Sequence, residues 1–68
     1  SIFESIVSQG IENLPITLNR SQTIKSNSKI STIKDILMDT DNRQLFKVPQ
    51  IGPYWANRIK TYAEEFIA

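Results

Sequence analysis

The 68-residue chain contains no cysteine and no histidine. Without cysteine, neither a disulfide framework nor a thiolate metal site can form. Without histidine, the commonest general base and the commonest metal ligand are both missing. The only glycines are Gly10 and Gly52, so there is no Gly-rich phosphate loop. Lysine and serine nucleophiles are present but have no evident partner, and no carboxylate pair marks a cleft. Asp35, Asp39 and Asp41 come nearest to a metal cluster, yet their spacing fits no calcium loop, and capping or surface roles suit them better. Together these gaps predict a non-catalytic protein with no cofactor and no metal.

Long apolar runs are also missing. Nothing approaches the roughly 18 residues of a membrane span. The opening Ser1-Ile2-Phe3-Glu4-Ser5 lacks the basic-then-apolar pattern of a secretory signal. It also lacks an initiator methionine, so the expected reading is a module from a larger protein. A cysteine-free chain suits a reducing compartment, and the expected location is cytoplasmic. The length allows one domain, with a core worth on the order of 3–5 kcal/mol of net stability.

The net charge is only +1, but it is unevenly spread. All eight basic residues fall between Arg20 and Lys60, against three acids there, giving that stretch +5. The other four acids, Glu4, Glu12, Glu64 and Glu65, lie towards the ends. A basic middle is compatible with phosphate binding, and equally with a solvated surface.

Helical spacing dominates the hydrophobic pattern. Ser1 and Glu4 resemble a capping box ahead of Ile2, Phe3, Ile6 and Val7, which predicts a helix over residues 2–9 stopped by Gly10. Pro15 marks a connector over 11–15. Thr17 or Asn19 caps a second helix running to about Ser26. Ser31 caps a third over Thr32–Met38, with Ile30 placed as a hydrophobic staple. Thr40 or Asp41 caps a short fourth helix over 42–46 that buries Leu45 and Phe46. Val48–Gly52 forms a tight turn, and Pro53 opens the last helix at a favoured position. There Trp55, Ala56, Ile59, Tyr62, Ala63, Phe66 and Ile67 make one apolar stripe. Tyr54 faces outward by this phase, and Trp55 reads first as core and second as a stacking surface.

The expected fold is therefore all-α, a compact bundle of four to five short helices. Residues 1–15 form an N-terminal helix and connector ahead of a core over 16–68. The segment from Leu45 to Ile59 resembles a helix-hairpin-helix motif. Its turn is Val48-Pro49-Gln50-Ile51-Gly52, with Ala56 as the small residue and Ile59 as the aliphatic anchor. The free amides and dipole of the last helix point out at Gly52, where a phosphate can approach closely. Lys47 and Arg58 flank the turn.

From Ile16 to Ile59 the chain also resembles the C-terminal domain of the bacterial RNA polymerase alpha subunit. The residues that carry this likeness are Ile16-Thr17-Leu18, Ile33-Lys34-Asp35-Ile36-Leu37, Thr40-Asp41 and the hairpin itself. The resemblance implies duplex DNA contacts at Asn19, Gln22, Gly52, Tyr54, Trp55 and Arg58. Gln50 and Lys47 in the hairpin and Arg20 beside Asn19 complete the candidate set. Two departures separate it from that family: a key minor-groove arginine falls on Asn19, and a hairpin lysine falls on Tyr54. What carries over is backbone contact without base reading. The expected partner is nucleic acid, chiefly duplex DNA in a nucleoid-associated setting, together with the rest of a parent protein. The rival expectation is a protein-interaction domain, because the same five-helix shape resembles sterile-alpha-motif domains. A third is a structural domain packed on its parent, which an exposed apolar patch on the first helix would favour.

Overall fold

Ser1 starts the first helix by accepting a hydrogen bond from the Glu4 amide at 3.2 Å, and α1 spans Ile2–Val7 in the computed structural model, which describes all 68 residues. The helix is shorter than the sequence predicts. It ends at Ser8 in right-handed geometry, and Gly10 is extended rather than a left-handed stop. Gly10 instead forms an isolated antiparallel bridge with Thr32. Around it the Ile11 amide donates to the Ser31 carbonyl at 3.1 Å and the Ile33 amide donates to that of Gln9 at 2.9 Å. This clasp carries a 3₁₀ turn, Ile11–Asn13, onto the bundle and buries Ile11 and Leu14 in the main core. Residues 1–15 thus pack against the rest of the chain.

Helix α2 spans Leu18–Asn27 and is capped by Thr17, whose hydroxyl accepts from the Arg20 amide at 3.0 Å. Its only buried positions are Ser21 and Ile24, and the Ser21 hydroxyl donates to the Leu18 carbonyl at 2.8 Å. Lys25 pairs with Glu12 and links α2 to the preceding 3₁₀ turn.

Helix α3 spans Ile33–Leu37, and its cap is Thr32 rather than the expected Ser31. The Thr32 hydroxyl accepts from the Asp35 amide while the Asp35 carboxylate accepts from the amides of Thr32, at 3.0 Å, and Ser31, at 2.9 Å. Ile30 is buried, one residue further from the cap than a staple requires. Burial opposes ionisation of Asp35, but the amides and hydroxyls of Ser31 and Thr32 around the carboxylate outweigh it and hold the carboxyl below its ordinary value. A depressed folded pKa stabilises the fold fully above the unfolded value of roughly 4, and that contribution disappears as pH falls through the folded value. The urea midpoint is therefore expected to drop below about pH 4. The drop is expected to be smaller in Asp35→Asn, and an identical pH profile in the variant would remove this role for the carboxylate.

The expected fourth helix over 42–46 does not form. Asp41 and Asn42 both adopt left-handed backbone, with φ of 57° and 58°, which no α-helix can continue. Two 3₁₀ turns, Thr40–Asn42 and Leu45–Lys47, replace it. The organiser is neither Thr40 nor Asp41 but Asp39, whose buried carboxylate accepts from the amides of Gln44 at 2.9 Å and Leu45 at 3.1 Å. Leu45 is buried as expected, whereas Phe46 is 48% exposed because a three-residue 3₁₀ turn points it outward.

The longest helix, α4, spans Pro53–Ile67 and opens on Pro53 at its first turn. Ala56, Ile59 and Ala63 are fully buried, and Trp55, Tyr62, Phe66 and Ile67 pack on the core at its margin, as the stripe predicts. The packing of α3 on α4 is the principal helix contact. Four α-helices and three 3₁₀ turns thus enclose one core with no strand, and every buried polar side-chain atom has a partner. No helix is long and apolar enough to cross a membrane.

Candidate functional site

The turn before α4 sets the site. Val48 and Ile51 are buried, and the Ile51 amide donates to the Val48 carbonyl at 3.2 Å. Pro49 and Gln50 project outward between them. Gln50 carries the left-handed backbone, with φ of 69°, in the third position of this four-residue turn. Gly52 does not; its φ is −95° and its ψ is −169°, values open to any residue. Neither conformation nor packing requires a glycine there, since a β-carbon would meet nothing within 4 Å.

Helix α4 begins without a side-chain cap. Gly52 has no side chain to offer and Pro53 has no N–H, so Tyr54 and Trp55 supply the first outward-pointing amides. The start of α2 lies against this turn. Thr17, Asn19, Arg20 and Thr23 on one side and Val48–Ile51 on the other line a small polar cleft of about 90 Å³. Thr23 is held there by its hydroxyl, which donates to the Asn19 carbonyl at 2.9 Å.

Arg20 joins the cleft to α4. Its guanidinium lies over Trp55, 3.9 Å from the ring centroid. Trp55 meets Tyr54 edge to face, with centroids 5.6 Å apart and planes at 87°. Arg58 comes next, 5.9 Å from the Tyr54 centroid and 5.3 Å from that of Tyr62. Its guanidinium donates to the Tyr62 hydroxyl at 2.6 Å, and this bond holds the arginine pKa above its already high ordinary value. Two cations and three rings thus form a continuous row from α2 along the outer side of α4.

Of the residues expected from sequence, Asn19, Arg20 and Gln50 meet in the cleft, and Trp55, Tyr54 and Arg58 follow in the row beside Gly52. Gln22 and Lys47 are exposed but line neither feature. Trp55 packs on the core margin as its first expected reading has it, and its ring lies under Arg20. The sequence reading missed Thr17, Thr23 and Tyr62 as site residues. Tyr62 was legible as the third member of Tyr54-x₃-Arg58-x₃-Tyr62, a spacing that stacks side chains on one helical face. The basic middle of the chain is only partly free: Lys25 is paired with Glu12, and Lys60 donates to the Asp39 carbonyl at 2.8 Å. No protein-family model, curated protein or solved structure matches the chain.

Proposed function

We propose that this domain is a non-catalytic helix-hairpin-helix module that grips the phosphate backbone of duplex DNA with little regard to sequence, tethering a larger DNA-processing or transcription protein. The observation that supports it most is the placement of the Arg20–Trp55–Tyr54–Arg58 row beside the uncapped start of α4. Outward amides and a helix dipole favour an anion, and the two guanidinium groups supply full positive charge on the same surface. The Arg20–Trp55 stack, of a kind worth about 0.5–2 kcal/mol, holds one of those charges in place between α2 and α4. Contacts of this kind position a duplex and read no bases.

One such module binds weakly, with a dissociation constant on the order of 10⁻⁴–10⁻⁶ M. In a two-dimensional NMR titration with a short duplex, shifts are expected at the Gly52–Trp55 amides and around Arg20, diminishing as salt is raised. Arg20→Ala is expected to weaken binding several-fold and lower the salt slope by about 1. No shifts at millimolar DNA and low salt would overturn the reading.

The alternative of a protein-contact domain, or one packed on its parent, is favoured by α1. There Ile2 is 82% and Phe3 57% exposed, on a helix that otherwise packs against α3 and α4. An unresponsive DNA titration makes that face the working surface.

A further inference from the structure

An open groove of about 500 Å³ follows the outer side of α4, lined by Tyr54, Asn57, Arg58, Thr61, Tyr62 and Glu65. Its size lies within the range of small-molecule sites. It shares Tyr54 and Arg58 with the phosphate-binding row proposed above, so one strand of nucleic acid can run from one to the other. Tyr54 is 66% exposed and the fold does not need its ring. Arg58 lies over the Tyr54 ring at 5.9 Å but is tied to Tyr62, and the exposed Tyr54 ring stays accessible to a flat partner. The polar side chains are those a base edge requires. Asn57 offers both a donor and an acceptor, Arg58 offers donors, and Glu65 accepts from an exocyclic amino group. Glu65 also repels phosphate, which suits the groove to the uncharged part of a nucleotide.

We infer that this groove takes an unpaired nucleobase stacked on Tyr54, so that the DNA this module prefers carries single-stranded bases next to a duplex. The inference rests on the DNA-binding reading and names its substrate class. The test compares two labelled duplexes by fluorescence anisotropy with the full chain. One bears a short single-stranded overhang, and the other has an abasic overhang with the same number of phosphates. The base-bearing overhang is expected to bind at least about fivefold tighter, the lower end for base–aromatic stacking. Tyr54→Leu is expected to bring the ratio of the two affinities to about one, and Tyr54→Phe to preserve it. Equal affinities in the unaltered protein overturn the base site and leave the phosphate reading standing. A ratio that survives Tyr54→Leu overturns the assignment to this groove. Failure to bind either DNA overturns both readings.

Discussion

Asp39→Ala is expected to bring the domain close to its unfolding threshold at room temperature. Asp39 is 6% exposed, and its carboxylate accepts the amides of Gln44 and Leu45 in a stretch with no regular helix to satisfy them. Hydrogen bonds to a charged group contribute roughly 1.5–3 kcal/mol each, and the orphaned buried amides add a desolvation cost of their own. A loss of about 3 kcal/mol or more is therefore expected, from a domain of a size that holds only about 3–5. Asp39→Asn should fall between the two proteins. Its single carbonyl oxygen keeps one amide, while its NH₂ group faces the other. Urea unfolding followed through Trp55, the only tryptophan, gives the measurement. An Asp39→Ala midpoint near that of the unaltered chain would show that the 3₁₀ turns hold themselves together without the carboxylate.

The same residue marks where the sequence stops being legible. Helices α2, α3 and α4 declare themselves through local capping and apolar spacing, because Thr17 and Pro53 act on their immediate neighbours and the cap of α3 falls on Thr32, one residue past the expected Ser31. Asp39 acts on amides five and six residues away, across two left-handed residues, and no local pattern encodes that reach. Apolar spacing over 42–46 resembles a helix because Leu45 is truly buried, yet Phe46 beside it is not. Gly10 misleads for a related reason. A glycine after a helix reads as a stop, whereas here it takes part in a backbone bridge to Thr32, a partner 22 positions on in the sequence.

The candidate site divides in the same way. The hairpin residues and Arg58 follow from one contiguous motif. The Arg20–Trp55 stack does not, since it joins positions 35 apart in the sequence and depends on how α2 lies on the turn. Arg20 was legible as a basic residue near a helix start, but its service to α4 required the packed structure.

Gly52→Asp separates stability from binding more sharply than any other change in this chain. The position caps α4, its backbone suits any residue, and a new β-carbon meets open space. An aspartate there can accept the idle amide of Trp55 and oppose the helix dipole favourably. Stability is expected to hold or rise by a few tenths to about 1 kcal/mol. Binding to duplex DNA is expected to fall at least about tenfold, because the carboxylate occupies the amides a phosphate needs and repels it as well. Gly52→Ala should show the reverse order. It fits without strain and adds no charge, so the amides stay open to phosphate; as a poor cap, alanine is expected to cost up to about 1 kcal/mol. The measurement pairs a urea melt with a DNA titration for the three proteins. If the start of α4 holds phosphate, the more stable variant is the one that fails to bind. If α4 serves only to close the core, DNA affinity will be indifferent to both substitutions, and the proposal of a phosphate site at Gly52 falls.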